Sequence, residues 1–174
     1  YEVLRRKGGS GQFQQADQVV NPDTPDKRFT VLDTVNTRDT QLCYTIATVR
    51  GCKKTAYSDT FCATQLGGKP FNNANQLTWQ RFSGYAIDSQ LVLRKAGSGY
   101  DTIARLAGSD TTYTDKPLPC NLPESYKILS LEQGGERTTL SDSIRLTPFD
   151  TLAPGAPKIQ KLSIVSDTEA RLNW

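Results

Sequence analysis

Val92–Gly99 reads VLRKAGSG and Val3–Gly11 reads VLRRKGGSG, the same phrase set down twice, 89 residues apart. Self-similarity at a fixed spacing marks a repeat architecture and comes before the assignment of any single segment. The match continues downstream in the same order. Val3-Leu4-Arg5 matches Val92-Leu93-Arg94, RFTVLD ending at Asp33 matches TTYTD ending at Asp115, Tyr44-Thr45-Ile46 matches Tyr126-Lys127-Ile128, and Tyr57-Ser58-Asp59 matches Leu140-Ser141-Asp142. The offsets run 89, 82, 82 and 83, so the first copy carries about seven extra residues, all between Gly11 and Asp33. A surface loop absorbs such an insertion at small entropic cost. A third copy begins near the end, where Leu172-Asn173-Trp174 echoes Leu77-Thr78-Trp79.

Within each copy the periodicity is that of strands. Leu77 and Trp79 alternate with Thr78 and Gln80, Leu91 and Leu93 with Val92 and Arg94, and Tyr126 and Ile128 with Lys127 and Leu129. No stretch of eleven residues carries a helical stripe. Turn signals recur every eight to twelve residues: GGSG at 8–11, NPDTPD at 21–26, GGK at 67–69, AGSG at 96–99 and QGG at 133–135. That rhythm predicts an all-β chain of tandem antiparallel sandwiches. Residues 1–66 read as the C-terminal part of one module, 67–149 as a complete module and 150–174 as the first strands of a third. LGGKP at 66–70 reads as a tight glycine turn at the first boundary, and Pro148, Pro154, Gly155 and Pro157 mark a stiff linker at the second.

Composition removes several function classes. The 174 residues carry 21 Lys and Arg against 18 Asp and Glu, a net charge of +3, with no basic run longer than Arg5-Arg6-Lys7. A nucleic-acid partner leaves a denser basic footprint. No segment reaches the ~20 apolar residues of a membrane span, and no secretory leader opens the chain, which reads as a segment of a longer polypeptide. With no histidine at all, neither a Ser-His-Asp or Cys-His nucleophile nor a histidine zinc site can be assembled. The 13 Asp and five Glu leave carboxylate chemistry open in principle, but nearly all stand in turn-like contexts that favour solvated side chains. No catalytic group, cofactor or metal is expected.

LTW on an early strand, LVLRK in mid-module, TYTD, then SYKI and a closing Leu-Ser-Asp together resemble tandem fibronectin type III domains over essentially the whole chain. CYTIATVRGC followed by YSDTFC, and NNANQLTWQRFSGY, are similar to repeats in large surface proteins of Bacteroidota, many associated with gliding motility and exported by the type IX system. The resemblance implies a secreted structural or adhesion module at the cell surface, associated with the outer membrane. Its partners would be neighbouring modules of the same chain and surface polysaccharide or outer-membrane proteins. An accessory spacer or weak carbohydrate-binding module of a secreted polysaccharide-degrading enzyme, or cargo of an outer-membrane assembly, are the alternatives. A parent chain with a catalytic domain would favour the enzyme accessory, and one with further repeats would favour the surface protein.

Candidate sites follow from these patterns. Trp79 and Trp174 sit at inward positions of their strands and are expected in the core rather than as sugar platforms. Tyr44 and Tyr126 are also expected to be structural, each tying down the corner before its strand. Arg5, Arg6, Lys7, Arg94 and Lys95 end equivalent strands; they read either as protection of sheet edges or as a periodic stripe facing anionic polysaccharide. NPDTPDKR at 21–28 holds two carboxylates but lacks the order of a calcium loop. A turn near Gly51–Lys54 pairs positions whose numbers sum to about 105, which sets Cys43 opposite Cys62 and predicts a cross-strand disulfide suited to an oxidising compartment. Cys52 and Cys120 are left over. Ten of the 13 Asp precede Ser or Thr, and five of these continue with a residue of the set Ala, Ile, Leu, Val, Met or Thr. That pattern resembles the O-glycosylation acceptor of Bacteroidota and nominates Thr34, Thr102, Thr111, Ser143 and Thr151. Asp-Thr is equally good turn chemistry, and both readings stand.

Overall fold

A computed structural model describes residues 1–8, 11–19, 29–36, 40–151 and 155–174. All regular structure among them is β. The first sheet holds β1 (Glu2–Lys7), β2 (Gln14–Gln18), β3 (Leu42–Arg50), β4 (Lys53–Tyr57) and β5 (Phe61–Cys62). Its order is β2-β1-β3-β4, with β5 continuing along β3. Next come β6 (Leu66–Phe71), β7 (Ala74–Trp79), β8 (Ile87–Ala96), β9 (Gly99–Ala107), β10 (Thr112–Asp115), β11 (Glu124–Glu132), β12 (Thr138–Leu140) and β13 (Ile144–Leu146). They form a three-stranded sheet, β10-β7-β6, and a second sheet, β9-β8-β11-β12, with β13 also on β11. A hairpin of β14 (Lys161–Ser166) and β15 (Glu169–Asn173) ends the chain.

The middle pair of sheets is a fibronectin type III sandwich by strand order: first, second and fifth strands in one sheet, the remainder in the other. Its core is Leu66, Leu77, Trp79, Val92, Tyr126, Ile128 and Leu146, drawn from both sheets. Each such burial contributes about 1.5–3 kcal/mol. The first sheet repeats the second sheet of this sandwich strand for strand. Val3 faces Ile46 across β1 and β3 just as Val92 faces Ile128 across β8 and β11. Burial differs, however: Ile128 is 0% exposed and Ile46 47%. The first sheet is tightest on its other face, where Leu4, Cys43, Thr45 and Ala47 are buried.

The closing strand breaks in both copies at a serine, and one set of bonds explains it. Ser58 Oγ accepts the Ile46 amide at 2.9 Å and Ser141 Oγ accepts the Ile128 amide at 2.8 Å. Each hydroxyl then donates to the carbonyl of the following Asp. The repeated Ser-Asp is thus a strand kink in which the side chain stands in for a ladder bond.

Three expectations need correction. LGGKP is no turn: Leu66–Phe71 is a strand, and Gly67 and Gly68 lie inside it. A Cβ on Gly68 would come within 2.7 Å of the Gln76 carbonyl and 2.8 Å of Leu146, so glycine is there for close approach. Pro70 is tolerated because β6 is an edge strand. Arg5 and Arg94 do not protect edges, since β1 and β8 each lie between two strands. Trp174 is 78% exposed rather than in a core. The pairs Leu162↔Leu172 and Ile164↔Ala170 share a face of the last hairpin, and Leu162, Ile164 and Leu172 are exposed too; a single two-stranded layer cannot bury them.

Candidate functional site

The two Arg side chains belong instead to a polar cluster built twice. Arg94 Nη1 donates to Asp115 Oδ2 at 2.9 Å, and the Tyr126 hydroxyl donates to the same oxygen at 2.9 Å. In the first sheet Arg5 Nη1 reaches both oxygens of Asp33 at 2.6 and 2.7 Å, and the Tyr44 hydroxyl donates to Asp33 Oδ2 at 2.8 Å. The offsets 89, 82 and 82 found for the repeat are those of the Arg, the Asp and the Tyr. In both copies the tyrosine is bonded to a carboxylate eleven residues upstream, which in the middle sandwich is the last residue of β10 in the facing sheet, and the carboxylate is held in place by the arginine. In the middle sandwich the cluster gains a fourth member, Asn75, whose Nδ2 donates to the Tyr126 hydroxyl at 3.0 Å.

Electrostatics follow the contacts. Burial raises the Tyr44 phenol, and the bond to Asp33 adds to it, to about 12. The same causes raise Tyr126 further, against a lowering by the Asn75 bond. Burial would raise Asp33, but the bonds from Tyr44 and Arg5 outweigh it and hold the carboxyl below its usual value. Neither Asp33 nor Asp115 is a solvated turn carboxylate, contrary to the expectation from the sequence. The missed signal was the repeat itself, which kept an Arg, an Asp and a Tyr in step.

The other candidates are dispersed. Trp79 is buried, its Nε1 donating to Gln90 Oε1 at 2.7 Å, so no sugar can stack on it. Arg6 lies over the Phe13 ring at 4.7 Å, which leaves Lys7 and Lys95 as the exposed basic positions. Cys43 and Cys62 form a disulfide in the register expected. Cys52 and Cys120 are free and exposed; Cys52 follows Gly51 in a two-residue turn with both φ positive, 56° and 62°. Thr34, Thr102, Ser143 and Thr151 are exposed and Thr111 partly buried, and the Ser143 hydroxyl lies 3.1 Å from that of Tyr100. Of the preceding Asp, Asp33 is bonded in its cluster, Asp110 accepts the Ala107 amide at 3.0 Å and Asp142 accepts the Leu66 amide at 3.1 Å. The NPDTPDKR segment falls at 21–28, outside the described residues. Among the described residues no three His, Cys, Asp or Glu side chains group as a metal site, and no helix is long and apolar enough to cross a membrane.

No family model and no curated protein matches the chain. Solved structures do match. Pectate lyase PelI from Erwinia chrysanthemi, in complex with tetragalacturonic acid, is 20% identical at a TM-score of 0.43 over 48% of this chain and 28% of that one. The fn3 domain of human collagen alpha-1(XX) chain is 16% identical at 0.44 over 56% and 90%. A two-domain fibronectin type III segment of chicken tenascin is 14% identical at 0.37 over 83% and 80%. The matched part spans less than a third of the pectate lyase chain. Strand order and register, rather than these overlaps, define the fold.

Sequence reasoning missed one more group. Phe61, Phe82, Tyr85 and Arg137 come together where the first sheet meets the middle sandwich.

Proposed function

We propose that the chain is a non-catalytic structural and adhesion segment of a large secreted bacterial surface protein, in which successive fibronectin type III modules space out or anchor other domains. The observation that carries this reading is the Arg-Asp-Tyr cluster built twice, in register, in consecutive copies of one sheet. A repeat that preserves its internal fastening while its surface varies is preserved for shape. Its best-placed carboxylates are engaged in holding the fold. The disulfide supports an oxidising, extracellular location. Association with the outer membrane, a part in gliding motility and export by the type IX system extend the proposal on the strength of the sequence resemblance. O-linked glycans on Thr34, Thr102, Ser143 and Thr151, and on the less accessible Thr111, belong to the same reading.

The test is made on the native host. Protease applied to intact cells should release peptides of this chain with Cys43 and Cys62 joined, and glycopeptide mass spectrometry should find added mass on the Asp-Ser/Thr peptides. Recovery only from lysed cells, with both cysteines reduced, contradicts the extracellular reading. Unmodified hydroxyls at all five positions contradict the glycan reading and, with it, part of the resemblance-based case for a Bacteroidota source.

A further inference from the structure

The link between the first sheet and the middle sandwich is Ala63–Gln65, three residues between β5 and β6. Three residues span at most about 10 Å, so the two bodies are held in contact. A backbone bond crosses the link: the Cys62 amide donates to the Ser83 carbonyl at 2.9 Å. Beside it the Phe61 ring meets Phe82 at 6.4 Å and Tyr85 at 5.8 Å between centroids, while Phe82 and Tyr85 lie 4.6 Å apart. The Arg137 guanidinium stacks over Tyr85 at 4.7 Å and Phe61 at 5.8 Å and is steadied by Glu132. Gly84 makes room, since a Cβ there would stand 2.6 Å from Phe61 and 2.8 Å from Phe82. The ring brought by the first sheet thus sits among three side chains from the middle sandwich. Aromatic and cation–π contacts of this kind are individually modest and act together when the rings are held in place.

Apart from the rings, Phe61 is placed by its pairing with Tyr44 and by the amide bonds of the two residues after it, Cys62 to Ser83 and Ala63 to Leu42. The strand β5 that carries it is two residues long, and two residues of ladder do not form a stable strand. The next residue, Cys62, is bonded to Cys43 in the middle of the sheet. We infer that the Cys43–Cys62 disulfide, by fixing Phe61 among Phe82, Tyr85 and Arg137, locks the angle between the first sheet and the middle sandwich. Opening the disulfide frees β5, releases the ring and turns a fixed joint into a hinge. After β13 the chain stays bonded to the middle sandwich as far as Thr151, the Phe149 amide donating to the Phe71 carbonyl at 3.2 Å and the Thr151 amide to Asn72 Oδ1 at 3.2 Å. The inference does not depend on an extracellular role, only on the disulfide being closed.

The two free cysteines provide the measurement. Cys52 lies in the turn between β3 and β4 of the first sheet and Cys120 in the connection between β10 and β11 of the middle sandwich, both exposed. Nitroxide labels on these two thiols, read by double electron–electron resonance, report one distance across the joint. The unmodified chain should give a single narrow distribution. Phe61→Ala, Gly84→Val and the pair Cys43→Ala with Cys62→Ala should each lose the narrow peak, with the melting of the middle sandwich unchanged. Gly84→Val leaves the first sheet intact, so broadening there cannot come from its unfolding. A broad distribution in the unmodified chain, or a narrow one that survives any of the three changes, overturns the inference.

Discussion

The first sheet and its counterpart in the middle sandwich share strand order, register, a kinked closing strand and the Arg-Asp-Tyr cluster, yet they are covered differently. Val92, Tyr126 and Ile128 lie beneath Leu66, Leu77 and Trp79. The equivalent Ile46 is about half exposed, and the first sheet carries a disulfide that the middle one lacks. Polar fastening travels with the repeat, while among the described residues the facing layer belongs to the middle sandwich and the disulfide to the first sheet.

The sharpest way to break this comparison is to remove the same atoms from both. Ile128→Ala should cost about 2–5 kcal/mol in denaturant unfolding, as a fully buried side chain does. Ile46→Ala should cost less than about 1 kcal/mol because water already reaches it. Equal losses would mean the two faces are equally covered. Next in size is the disulfide. Replacing Cys43 and Cys62 by Ala should cost the first sheet about 3 kcal/mol, the chain-entropy value for a loop of this length. Amides of β8 and β11 should keep their hydrogen-exchange protection.

Asp33→Asn and Asp115→Asn should each cost about 1–3 kcal/mol, since a charge-assisted bond to arginine is lost in both. The loss at Asp115 should be the larger, because Asp115 and Tyr126 are both buried while Asp33 and Tyr44 are half-buried. The smallest effect is that of pH. Tyr44 stays protonated in the folded chain up to about 12 but ionises near 10 when unfolded. Its contribution is therefore complete below pH 10 and fades as pH rises toward 12. Asp33 has the opposite sign: with its folded pKa lowered, its contribution is complete above about pH 4 and fades on acidification. Tyr44→Phe should flatten the alkaline limb, read as melting temperature against pH.

Much of this was legible from the chain. The repeat gave the architecture because its residues recur in order, and the Cys43–Cys62 pairing followed from counting outward from one turn, a local operation. What failed was non-local. Arg94 reads as a charge at a strand end until Asp115, 21 residues on, folds beside it. Gly67 and Gly68 read as a turn because glycine usually marks one; the packing of Leu146 on Gly68 comes from 78 residues away. Trp174 has the alternation of a core residue, but alternation specifies a face and not what lies on it. The cluster at the first joint was hidden because Phe61 comes from β5, Tyr85 from the β7–β8 connection and Arg137 from the β11–β12 connection.

One repeated sheet is held by the same polar cluster twice, with a facing layer over the middle copy among the described residues. Native-state hydrogen exchange, resolved to single amides on the unmodified chain, tests it most directly. The amides of Val92, Tyr126 and Ile128 should exchange only with global unfolding of the middle sandwich. Those of Val3, Tyr44 and Ile46 should exchange faster by orders of magnitude, through openings of the first sheet alone. Equal protection at the paired positions, or slower exchange in the first sheet, would contradict the account.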